Sequence, residues 1–141
     1  MSQVLIPIIE TVGVLKMTHI RIQIGEIEIY GTVNDSDVAK SVVSVLPINS
    51  SFNTWGDEIY FPIPIELDIT DGQEVVLAGD IAYWPPGHAL CIFYGQTPAS
   101  RDGEIRAASE VYVIGNIQGD ADVLKSVDKG AKISIVLVAG R

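Results

Sequence analysis

From Thr18 to Val33 the chain alternates apolar and polar residues: Ile20, Ile22 and Ile24 are separated by Arg21 and Gln23, and Ile27 and Ile29 by Glu28. A period of two sends successive side chains to opposite faces of a strand, so this stretch predicts a hairpin with one dry and one wet face. Gly25-Glu26 between the halves suits a two-residue turn, in which glycine takes a positive φ at no steric cost. Val4 to Leu15 reads as a further extended piece, interrupted by Pro7.

The period lengthens after Asn34. Val38, Val42, Val45 and Leu46 fall on one stripe of a short helix that Asn34 or Asp35 would cap and Pro47 would stop. A second helix follows the same plan, with Asp120 as cap, Ala121, Val123, Leu124 and Val127 inward, Lys125 and Lys129 outward, and Gly130 as terminator. Between them the chain reads as strands from Glu58 to Ile65, Glu74 to Leu77, Ile81 to Trp84, Ala89 to Tyr94 and Glu110 to Ile117. Asp71-Gly72, Gly79-Asp80 and Asp102-Gly103 supply the turns. Ile133 to Val138 is a continuous apolar run, the pattern of a strand buried on both faces. Many short strands usually solve the problem of their exposed edges by closing, so the order predicts a mainly β barrel plugged at its ends by two short helices.

Composition narrows the function. A length of 141 residues predicts a single domain over 1–141 with a self-sufficient core, and 48% hydrophobic with 19% charged residues predicts a folded one. Nine Lys and Arg against eighteen Asp and Glu leave a net charge of −9, which argues against nucleic acid and anionic membrane surfaces as partners. The apolar segment from Val4 to Ile9 has no basic stretch before it and is broken by Pro7, so neither a signal peptide nor a spanning helix is expected, and the cytoplasm is the expected location. The lone Cys91 sits in an apolar run, where a thiol packs as a small hydrophobe.

Aromatic residues concentrate between Gly79 and Arg101, where Tyr83, Trp84, His88, Phe93 and Tyr94 surround the Pro85-Pro86-Gly87 turn. Large rings with polar tips beside a rigid turn suit a shallow groove, because they bury much area with little entropy to lose. Trp55, Glu58, Tyr60, Tyr83, Trp84 and Phe93 are the expected ligand-binding residues, with Glu58 and Tyr60 on one face of their strand. A peptide segment or a small apolar molecule is the expected ligand. The alternatives are a recognition module without chemistry and an aromatic face that joins copies into a homo-oligomer. Asp57 and Glu58 are adjacent, so on a strand they point apart and cannot work as a catalytic pair. No phosphate loop, nucleophile elbow or metal-ligand spacing occurs, and neither a metal nor a cofactor is expected.

The segments NTWGDEIYFPIP (Asn53 to Pro64), GDIAYWPPGHALCIFYG (Gly79 to Gly95) and SRDGEIRAASEVYVIGNI (Ser100 to Ile117) resemble a family of small prokaryotic cyclophilin-like proteins. That resemblance covers nearly the whole chain and implies a closed eight-stranded barrel with one helix over each open end. Cyclophilins are peptidyl-prolyl isomerases, and the resemblance implies that activity as one candidate. In them an arginine on the strand after the first helix donates toward the prolyl nitrogen, lowering a rotation barrier of about 18–20 kcal/mol. The strand from Trp55 to Phe61 holds no arginine, and Gly87-His88-Ala89-Leu90-Cys91 stands where the cyclophilin pattern has Gly-Ser-Gln-Phe-Phe. An isomerase on this chain would need another donor. Arg101 and His88 are the expected catalytic candidates; otherwise Arg101 is a surface residue paired with Asp102 or Glu104, and His88 a turn residue satisfied by backbone. Arg106 is the remaining arginine that could approach the groove.

Overall fold

The computed structural model describes residues 17–138. The extended piece expected from Val4 to Leu15 lies outside them. The hairpin forms as the alternation predicts: β1 (Thr18–Ile24) pairs antiparallel with β2 (Ile27–Val33), and Gly25 takes φ +57° in the turn. Ile20, Ile22, Ile24 and Ile29 are buried, while Arg21, Glu28 and Tyr30 are exposed.

Helix α1 (Asp37–Ser44) starts later than expected. Its N-cap is Ser36, whose Oγ accepts from the Ala39 N–H at 3.1 Å, and Asn34 supports that cap from outside by accepting from the Ser36 N–H and hydroxyl. The second helix is a 3-10 segment, Ala121–Ser126, capped by Asp120 as predicted. A 3-10 turn holds three residues, so Ala121, Leu124 and Val127 line one side and are buried, whereas Val123 falls off that side and is 41% exposed. The expected inward role of Val123 is therefore corrected.

The remaining strands are β3 (Ile48–Ser51), β4 (Asn53–Thr54), β5 (Glu58–Pro62), β6 (Gln73–Val76), β7 (Asp80–Trp84), β8 (Ala89–Phe93), β9 (Ile105–Ile117) and β10 (Lys132–Leu137). They form one antiparallel path in the order β3-β10-β1-β2-β9-β7-β8-β5-β4, with β6 attached to β9 alone. The fold is mainly β, as expected; nine strands lie on the hydrogen-bonded path with β6 beside it, and the ladder of hydrogen bonds does not itself close. Its two ends are β3 and β4, separated in sequence only by Phe52. Phe52 is buried, and the ladder breaks there: the residues before it pair with β10 and those after it with β5. β10 also departs from expectation, since Ile133 and Ile135 are buried but Ser134 and Val136 are half-buried and Leu137 is 50% exposed.

Strand alternation divides the interior in two. The main core takes the inward residues of the path, including Ile59, Phe61, Ile81, Tyr83, Leu90, Ile92 and Ile114. The opposite face of β5, β8 and β7 would be wet in a bare sheet. Instead the first half of β9, which pairs with β6, brings Ala107 and Val111 onto Ala82, Cys91 and Phe93 to make a second, smaller core. Among the described residues no helix is long and apolar enough to cross a membrane.

Candidate functional site

The edge of that second core is open. A cavity of about 220 Å³ lies there, lined by Trp55, Glu58, Tyr60 and Trp84 on one side and by Ala107, Ala108 and Val111 of β9 on the other. Four of the six expected ligand-binding residues thus meet.

Each wall is set by local chain geometry. Trp55 projects from a tight turn in which its N–H donates to the Glu58 carbonyl at 2.9 Å and Gly56 takes φ +60°. A side chain at Gly56 would strike the Gln96 and Thr97 backbone, so glycine lets this turn sit against the following loop. Glu58 and Tyr60 are two residues apart on β5 and share its outer face, as the alternation predicts. Trp84 ends β7. Its indole N–H donates to the Ser109 hydroxyl at 2.7 Å, its six-membered ring lies where a Gly87 side chain would have to go, and its centroid is 6.4 Å from that of Tyr60 at 75°. Such an edge-on aromatic pair holds both rings in place.

Glu58 is the unusual member. It is only 6% exposed, and its side-chain partner is the Cys91 thiol on the neighbouring strand β8. Loss of hydration penalises the ionised carboxylate and raises its pKa to about 7, while the hydrogen bond from Cys91 opposes that shift only partly. Among the described residues no basic side chain lines the cavity. Burial, then the Glu58 charge, pushes the Cys91 thiol well above its ordinary value. A thiol that neither ionises nor meets solvent is a poor nucleophile. Ellman's reagent is therefore expected to leave the native protein untouched and to titrate one thiol per chain after denaturation; fast reaction of the native protein would contradict the packing of Cys91.

The other expected site residues lie elsewhere. Tyr83 is fully buried in the main core, because its position on β7 faces opposite to Trp84; its hydroxyl donates to the Ile65 carbonyl and accepts from the Leu67 N–H at 3.1 Å. Phe93 is fully buried in the second core, beneath the cavity rather than on it. Both are corrected from groove walls to packing residues. Tyr83→Phe is expected to cost about 1–2 kcal/mol of stability, by leaving the Leu67 N–H without its partner, and to leave the cavity unchanged. Urea denaturation with tryptophan fluorescence checks both halves of that expectation.

Neither catalytic candidate reaches the cavity. His88 follows the Pro85–Gly87 turn with φ +47°, its ring 49% exposed and 3.8 Å from Glu66. Arg101 lies on an exposed turn. The loop before it is pinned to the start of β9: Ser100 Oγ accepts from the Thr97 and Arg106 N–H groups, and the Thr97 hydroxyl donates to the Arg106 carbonyl. Arg106 is held by Glu104 and Glu74, at 2.5 and 2.7 Å. Ala107, Ala108 and Val111 were not anticipated as a wall. The signal was the Ala-Ala-Ser run in a strand, since small residues let a strand lie close over neighbouring rings.

A family model described as cyclophilin-like matches residues 18–136. The solution structure of a hypothetical protein from the archaeon Archaeoglobus fulgidus is similar at a TM-score of 0.74 and 35% identity, over 87% of this chain and 96% of that one. No curated protein matches the chain.

Proposed function

The chain belongs to the cyclophilin-like family, and from that premise we propose that it is a recognition module whose outer cavity receives a small molecule or one side chain of a peptide. The observation that carries this reading is the cavity itself: two tryptophans and a tyrosine around one buried carboxyl, with Trp84 and Tyr60 held in place by a hydrogen bond and by each other. Preformed, mostly apolar clefts with a single polar group are the usual form of small-ligand sites. Its volume is roughly that of seven waters in the liquid, enough for a compact group and too little for a folded segment.

Arginine-dependent prolyl isomerisation is the weaker reading. Arg101 and Arg106 are both outside the cavity lining, and Arg106 is already spent on two carboxylates. The homo-oligomer alternative loses its main support for the same reason, because the aromatic residues are gathered into a recess rather than spread over a face.

We propose also that β3 and β4 act as one split strand that seals the sheet into a barrel. Their separation by Phe52 alone supports this, as does the pairing of β3 and β4 with β10 and β5, which stand next to the two ends of the path. A sealed cylinder would give the outer cavity a rigid floor.

The test is ligand-observed NMR with a library of small fragments, read together with quenching of tryptophan fluorescence in wild type and in Trp84→Leu. Fragments that bind wild type and are lost from the variant are expected. A protease-coupled assay on a Xaa-Pro peptide runs beside it and is expected to show no acceleration. Absence of any fragment dependent on Trp84 refutes the recognition reading, and acceleration abolished by Arg101→Ala restores the isomerase.

A further inference from the structure

From the chemistry of the cavity wall we infer that the group it receives is an organic cation, an alkylated or primary ammonium, seated between the aromatic rings and Glu58. This rests on the recognition reading above and names its ligand class.

Three observations converge on it. First, among the described residues the only charged side chain lining the cavity is an acid, Glu58, and it is only 6% exposed. A carboxylate can accept several hydrogen bonds, and the weak thiol donor of Cys91 leaves most of that capacity unused. A buried carboxylate without a counter-charge is costly, and a bound cation would remove that cost. Second, the rest of the wall is Trp55, Tyr60 and Trp84. Trp and Tyr rings attract cations through their negative faces, and the attraction grows where water is excluded. The Trp84 N–H is taken by Ser109, so this indole offers a ligand its ring and not a donor. Third, the ground beside the cavity is acidic as well. A shallow depression lined by Asp68, Glu110, the Pro85-Pro86 turn and Glu74, the last already paired with Arg106, adjoins it through Ser109 and Trp84. On a chain of net charge −9 such a surface draws cations inward and repels anions.

A neutral apolar ligand would gain from the rings but nothing from Glu58. An anionic ligand would meet a like charge. Of these three classes the cation alone uses every part of the wall.

The experiment compares charged probes with neutral isosteres of the same shape: choline against 3,3-dimethylbutan-1-ol, and butylammonium against butan-1-ol. Binding to wild type and to Glu58→Gln is followed by tryptophan fluorescence and NMR at pH 8, where the Glu58 carboxyl is ionised. In at least one pair the charged member is expected to bind about ten-fold more tightly than its isostere, and Glu58→Gln is expected to erase that preference. Because both members are measured on folded wild type, the comparison does not depend on the variant. Equal or tighter binding of both isosteres overturns the inference while leaving the recognition reading standing. Failure of all four probes to perturb either tryptophan also overturns it, and the fragment screen then decides the broader reading. A preference that survives in Glu58→Gln overturns the role assigned to the carboxyl.

Discussion

Glu58→Gln is expected to stabilise the protein by about 3 kcal/mol above pH 7 and to leave its stability nearly unchanged below about pH 4. The sign follows from burial. Glu58 has an ordinary pKa of 4.5 and is raised to about 7 in the folded chain, so between those values the folded state holds a proton that the unfolded state has released. A state that binds more protons is favoured by acid, and its advantage falls as pH rises. The penalty for ionising Glu58 therefore starts near its unfolded value, grows across the interval and is complete above its folded value. Glutamine keeps the shape and the acceptor for Cys91 but cannot ionise. Other carboxyls titrate too, and subtracting the variant's curve from that of wild type isolates the Glu58 contribution. Urea midpoints at half-unit steps from pH 4 to 9 measure it. Parallel curves, or a variant less stable at pH 8, would mean that the carboxyl is solvated.

Gly115→Ala is expected to cost at least about 3 kcal/mol, enough to threaten folding in a domain of ordinary stability. Gly115 stands on β9 between β2 and β7, paired with Val33 on one side and Ile81 on the other. The register with β7 slips by one residue just beyond it, and the backbone of β2 comes close. A side-chain carbon at Gly115 would lie 2.8 Å from Val33 Cα and closer still to the Thr32 carbonyl oxygen. Backbone atoms fixed by ladders on both sides cannot yield as a flexible side chain would. Gly103→Ala supplies the comparison: Gly103 has φ +80° but nothing within 4 Å, so only local strain of about 1 kcal/mol is expected. A Gly115→Ala protein no less stable than Gly103→Ala would contradict the close approach of β2 and β9.

The parts of this structure that a sequence displays are those governed by one strand or one turn. The isoleucine alternation gave the first hairpin its dry face, and the two-residue spacing of Glu58 and Tyr60 placed them side by side. What needs two segments at once was hidden. Tyr83 and Trp84 look alike in sequence, yet neighbours on a strand face apart, and only the pairing of β7 with β8 and β9 decides which one enters the main core. Phe93 shares the outer face with Glu58, but β9 folds over it and covers it. β3 and β4 escaped notice because Ile48-Asn-Ser-Ser carries a single buried apolar residue, and its strand character comes from pairing with β10. The turn from Asp120 to Val127 fits a period of three as well as 3.6, and the wrong choice mislaid Val123. Arg101 was a candidate by proximity in sequence; the hydrogen bonds of Thr97 and Ser100 to β9 fix its turn at the surface.

The central claim is that one desolvated carboxyl sits among the aromatic walls of the outer cavity. Its most direct test is the pH titration of the Glu58 side-chain carboxyl carbon by NMR, with Glu58→Gln used to assign the signal. A midpoint near 7 is predicted. A midpoint at the ordinary value of 4.5 would contradict it, since a carboxyl that titrates as if in water is not held in this cavity.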